Sequence, residues 1–205
     1  MNSILIKNVK KYTINLLKNS RCKSLAFHNV EHTLEVFKNV QIIAENENVN
    51  ASDLEILKIA ALFHDTGIIE TFMGHEAISV NYATDYFFSE QNLSNKKIAK
   101  VLNFINATKM PQNPKTNLEK IICDADLFHL AGANYLAKNK LLRIEWRNNL
   151  DLIFDDKEWY KLNIDFLSKH KYHTSYGLDV LENKKSNNIK LLNSILIKNN
   201  EMKLK

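Results

Sequence analysis

The sequence predicts an all-α protein, a single-domain helical bundle, and three observations carry that reading. Across 205 residues there are only four Gly and two Pro, so the chain has few breakers and favours long helices. Apolar residues recur at helical spacing along most of the chain, as in Ile98, Val101, Leu102 and Ile105, the stripe an amphipathic helix buries. No stretch shows the strict apolar–polar alternation of a half-buried strand, and there is no repeat or low-complexity linker.

Taken in order, Ile4, Val9, Tyr12, Leu16 and Leu17 predict a first packing helix that ends near Ser20. From His28 to Glu47 the apolar positions Leu34, Val36, Phe37, Val40 and Ile43 predict one long helix, with His28 and His32 on one face near its start. Ser52 and Glu55 have the spacing of a capping box, opening a helix that runs through Ile59–Phe63 to His64 and Asp65. Beyond Gly74-His75-Glu76 comes a helix with Val80, Ala83 and Phe87 inside, then one capped by Ser94 or Asn95. Both prolines, Pro111 and Pro114, interrupt the next stretch and demand a turn. Leu118, Ile121 and Ile122 restart a helix carrying Asp124 and Asp126. From Lys138 onward two or three Lys- and Asn-rich helices follow, the last with Ile189, Leu192, Ile195 and Leu196 on one face. His170 and His173 read there as solvent-facing or capping residues. The total is roughly eight to ten helices.

Composition excludes several classes of function. Hydrophobic residues make up 45% and charged ones 25%, ordinary for a globular protein. No run approaches a membrane span, and the first twenty residues read as an amphipathic helix, not a signal peptide. Cys22 and Cys123 stand far apart and read as free thiols of a reducing compartment, so the cytoplasm is expected. The net charge of +5 comes without a basic cluster interleaved with aromatics, so a dedicated nucleic-acid surface is not expected. That charge still favours small anions such as phosphates.

The chemistry concentrates in a few polar residues set within apolar surroundings. His64 and Asp65 close the run Ile59–Phe63, and Asp124 and Asp126 lie within Ile121–Leu130. Buried groups of this kind need hydrogen-bond partners or a metal ion. His32, His64, Asp65 and Asp126, drawn from separate helices, make an N2O2 donor set of intermediate hardness. It suits Mn, Fe, Co, Ni or Zn, and Mg only loosely.

These motifs resemble the HD superfamily of metal-dependent phosphohydrolases. Phe27-His28-Asn29-Val30-Glu31-His32 is similar to the Tyr-His-Asn-x-x-His segment of cyclic-nucleotide phosphodiesterases and small bacterial HD proteins. Ala61-Leu62-Phe63-His64-Asp65-Thr66-Gly67 matches the superfamily's signature. Gly74-His75-Glu76, Ala107-Thr108-Lys109-Met110-Pro111 and Cys123-Asp124-Ala125-Asp126-Leu127 resemble one group of small bacterial HD hydrolases. The likeness spans roughly residues 25–135, so an HD core over about that range with the 138–200 helices packed on it is expected within one domain of 205 residues.

The resemblance implies a helical bundle of the HD type and a role for each matched residue. His32, His64, Asp65 and Asp126 would bind a divalent transition metal. Asp126 is preferred over Asp124 because it follows Ala, which leaves Asp124 behind it. His28 would be the general acid, His75 a ligand for a second ion, and Lys109 a phosphate anchor. The histidine that two-metal relatives supply one helix later is replaced here by Asn106-Ala107-Thr108-Lys109, which counts against a complete second site. The function implied is hydrolysis of a phosphate ester, a nucleotide phosphohydrolase or phosphodiesterase, with a small phosphorylated substrate and no membrane partner. A homodimer is left open. The alternatives are an HD-fold di-iron oxygenase and a non-catalytic metal- or nucleotide-binding module.

Overall fold

The computed structural model describes residues 3–90 and 93–202. Among these the chain forms nine α-helices and no strand, so the all-α expectation holds. Two compact units divide it after Leu127. The first contains α1 (Ile4–Lys18), α2 (Val30–Asn46), α3 (Ala51–Phe63), α4 (His75–Glu90), α5 (Asn95–Ala107) and α6 (Asn117–Asp126). The second contains α7 (Tyr135–Leu150), α8 (Asp156–Lys169) and α9 (Glu182–Met202), with a π-helical turn, Gly177–Leu181, leading into α9. No helix among the described residues is long and apolar enough to cross a membrane.

The first unit is built around α3. Every residue from Ile56 to Phe63 is buried. Lys58 is the one charged member, its ammonium donating to Gln41 Oε1 at 2.7 Å, and the rest are apolar, so this half of the helix must be surrounded. It packs against α1, α2, α5 and α6. Burying a side chain such as Leu62 or Phe63 completely (both 0% exposed) contributes ~1.5–3 kcal/mol. Phe63 also leads an aromatic cluster with Tyr12, Tyr86 and Phe87, at ring separations of 5.8–6.0 Å. In the second unit α8 packs on α9. There the buried Trp159 indole donates to Asn139 Oδ1, and Asn163 Oδ1 accepts from Tyr135 and Asn139.

Three local expectations shift. The long helix begins at Val30 and not at His28, because the Asn29 side chain accepts from the backbone N–H groups of Glu31 and His32 and caps it; asparagine is among the best N-caps. For the same reason α3 starts at Ala51: Asn50 accepts from the Asp53 N–H at 3.0 Å and displaces Ser52 from the capping role. Ile4, expected on the inner face of α1, is 77% exposed; it opens the helix, and Ile6, Val9, Thr13 and Leu17 along its length take the buried positions instead. A capping box that the sequence reading passed over, Thr116 with Glu119, opens α6.

Candidate metal centre

The end of α3 sets the site. A helix leaves its last carbonyls without intrahelical donors, and here side chains supply them. His64 Nδ1 stands 2.8 Å from the Ala61 carbonyl, Thr66 Oγ1 donates to the Phe63 carbonyl at 2.8 Å, and Ser79 Oγ donates to the His64 carbonyl at 2.7 Å. The Gly67 N–H donates back to Ser79 Oγ at 2.8 Å. This bolts the start of α4 to the turn after His64, and only glycine permits it. A Cβ on Gly67 would fall 2.0 Å from the His75 carbonyl oxygen and 2.7 Å from the Ser79 nitrogen.

The bond to Ala61 also decides the chemistry of His64. A carbonyl only accepts, so Nδ1 carries the hydrogen and Nε2 presents its lone pair. That Nε2 lies 3.4 Å from His32 Nε2, 3.2 Å from Asp65 Oδ2 and 3.6 Å from Asp126 Oδ1. His32 Nε2 in turn lies 3.3 Å from Asp65 Oδ2 and 3.4 Å from Asp126 Oδ1. The helix caps deliver these groups: Asn29 starts α2 so that His32 falls in its first turn, and Asp126 is the last residue of α6.

The four residues fit a metal ion. Donors ~2.0–2.2 Å from one tetrahedral ion stand ~3.4 Å from one another, the spacing found here. Asp65 Oδ2 is buried and has no hydrogen-bond partner, although two imidazole nitrogens are its nearest polar neighbours. An orphaned buried carboxylate oxygen is costly, and a cation would satisfy it. His32, His64 and Asp126 meet at one point as a metal-capable trio, and Asp65 reaches both histidines of that trio.

Electrostatics point the same way. Burial works against charge on all four groups, yet Asp126 and Asp65 raise the pKa of His32, and Asp65 and Asp126 hold that of His64 well above its ordinary value. In return, His64 and His32 keep Asp65 well below the usual carboxylate range, and His32 and His64 do the same for Asp126. Protons and a divalent cation therefore compete for the same lone pairs.

The other residues expected at the site are placed as follows. The His28 ring is half-buried, edge-on to His32 at 5.7 Å and to Phe72 at 6.5 Å. His75 Nδ1 faces the Phe72 carbonyl at 2.9 Å, so its Nε2 points at Asp65 Oδ1, 3.1 Å away. Burial opposes charge on His75, but the Asp65 carboxylate outweighs it and lifts the pKa to about 9. Asp124 is wholly buried on α6. Lys109 is exposed at the turn after α5. Two neighbours escaped the sequence reading: Glu76, buried with Oε2 unpartnered and Oε1 3.8 Å from His75 Nε2, and Gln112, 3.5 Å from Asp126 Oδ2. Proximity in space reveals Gln112; Glu76 follows His75 directly in the sequence, and its burial is what marks it.

Comparison with known proteins bears on the fold and the family. No curated protein matches the chain. Among solved structures, a predicted HD superfamily hydrolase from an uncultured Thermotogales bacterium shares the fold with a TM-score of 0.63 at 18% identity, over 94% of this chain and 91% of that one. YpgQ of Bacillus subtilis, solved in complex with ADP, has a TM-score of 0.65 at 17% identity, covering 93% of this chain and 92% of that one. A Lactobacillus plantarum protein reaches 0.68 at 15% identity, over 98% of both chains. The family model of the HD domain matches residues 29–131, from the cap of α2 to just beyond Asp126. With half its length so matched, and with both histidines and both aspartates of the cluster inside the match, the chain belongs to the HD domain family.

Proposed function

We propose that the protein is a metal-dependent phosphohydrolase acting on a small phosphate ester of the nucleotide class, as a phosphatase or phosphodiesterase. The observation that carries this is the cluster of His32 Nε2, His64 Nε2, Asp65 Oδ2 and Asp126 Oδ1 at 3.2–3.6 Å separations. A divalent ion held there supplies Lewis acidity and brings the pKa of bound water toward neutrality. The net charge of +5 favours anionic ligands, and the ADP held by YpgQ, a protein of the same fold, puts nucleotides first among candidates.

The chain's own groups divide the work. His32, His64, Asp65 and Asp126 hold the ion. His28, beside His32 and partly open to solvent, delivers a proton to the departing oxygen as a general acid. His75 holds the outer oxygen of Asp65 through Nε2 and is the candidate ligand for a second ion. Lys109, a compact cation, is the candidate anchor for a phosphate, and Asp124 lies behind Asp126 on α6.

Elemental analysis of the purified protein, followed by phosphatase and phosphodiesterase screens with that metal restored, tests the reading. Metal-dependent phosphate release that disappears together with bound metal in His64→Ala is expected. Full turnover by a folded, metal-free variant would end the proposal. Oxygen uptake with two irons per chain would select the oxygenase instead, and tight nucleotide binding without turnover the non-catalytic module.

A further inference from the structure

The loop between α5 and α6 brings one more polar side chain to the centre. Gln112 Nε2 stands 3.5 Å from Asp126 Oδ2 and 3.5 Å from the backbone carbonyl of Cys123. Both neighbours only accept hydrogen bonds, so the amide must turn its nitrogen toward them; the flipped amide would set its carbonyl against a carboxylate. The two oxygens of Asp126 are thereby divided. Oδ1 faces the imidazoles of His32 and His64, and Oδ2 faces Gln112. The Cys123 carbonyl also accepts the N–H of Leu127, which closes α6. One side chain thus touches both the end of the helix and the carboxylate it presents.

Gln112 Oε1 is buried without a hydrogen-bond partner. An acceptor left so is costly, and two hydrogen bonds at 3.5 Å sit at the long limit of useful geometry. A buried acceptor without a partner calls for an explanation.

We propose that Gln112 is a positioning residue of the metal centre. Its Nε2 fixes the outer oxygen of Asp126 so that the inner one faces the ion, and its Oε1 accepts from a hydrogen-bearing group brought in with the ion or the substrate. This rests on the metal-centre reading, but its test needs no turnover. Partners that orient a ligand carboxylate change metal affinity by about 10–100-fold.

The test compares parent, Gln112→Leu and Gln112→Asn for Zn²⁺ or Mn²⁺ affinity, by competition with a chromophoric chelator. Melting temperatures in excess chelator are recorded alongside. Gln112→Leu should bind the ion about 10–100-fold more weakly with an unchanged or raised melting temperature, and Gln112→Asn should fall between. In an Asp126→Asn background the Leu substitution should cost nothing more, because the pair acts as a unit. Affinity within twofold of the parent, or the same loss in both backgrounds, overturns the proposal. If Gln112→Leu fails to fold, Gln112→Asn decides by the same criteria. A parent that binds the ion but turns over no phosphate ester ends the proposed function and leaves this one standing; a parent that binds no divalent ion ends both.

Discussion

His64 and His170 are both largely removed from water, and their surroundings drive them in opposite directions. His64 gives its Nδ1 hydrogen to Ala61 and turns the Nε2 lone pair toward two aspartates. Burial alone would keep it neutral, yet the carboxylates hold its pKa well above normal. His170, the C-cap of α8, has Nδ1 3.2 Å from the ammonium of the buried Lys185, so that nitrogen accepts and Nε2 carries the hydrogen. Burial first, and then Lys185, push its pKa down to about 4. The lesson is that a buried histidine becomes a ligand only where its backbone partner fixes the tautomer and its other nitrogen faces anions. At His170 the lone pair is already committed to a cation.

The sharpest way to break the contrast is to remove each ring. His64→Ala, like Asp65→Ala, should abolish bound metal and phosphate release, read by elemental analysis and a turnover assay. His170→Ala should leave both at parental levels; if it empties the metal centre, the contrast is wrong. Next in size is His28→Ala. It should lower kcat by about 10²–10⁴ while metal content stays at the parental value. An equal loss of metal would make His28 a ligand and not a proton donor.

The pH dependence of stability is smaller and carries a definite sign. His170 titrates near 4 when folded and near ~6.5 when unfolded. Between these values the unfolded chain holds the proton and the folded one does not. Stability from this group is therefore complete above ~6.5 and is lost as pH falls toward 4, by at most ~3 kcal/mol because the ring is not wholly screened from water. Denaturant melts of the parent and His170→Gln between pH 7 and pH 4 should diverge in that direction. The smallest effect is expected from Lys185→Met, which removes donors to the His170 carbonyl and to Glu182 Oε1. It should cost ~1–3 kcal/mol, and His170, followed by NMR titration, should move back up toward its ordinary pKa. No such movement would mean that burial alone depresses the ring.

Much of this was legible from residues in a row. An all-apolar run ending in His64-Asp65 announces a helix that must be surrounded and whose end needs partners, and the stripes of α5 and α9 give their inner faces by period alone. Boundaries were less legible where two good caps compete: Asn50 and Ser52 differ little in intrinsic preference, and only the bond to Asp53 chooses. What could not be read depends on approach in space. Nothing local tells that Gly67 must admit the His75 carbonyl, or that Gln112 lies beside Asp126, fourteen residues on. Such contacts belong to the packing of whole helices, which periodicity does not encode.

The donor atoms come from α2, from the end of α3 and from the end of α6, so one bound cation would tie together loops spanning most of the first unit. An ion bound only by the folded form adds ~2.7 kcal/mol at a hundred times its dissociation constant. The supply of a trace element would then act as a tether on this protein, setting its lifetime as well as its rate.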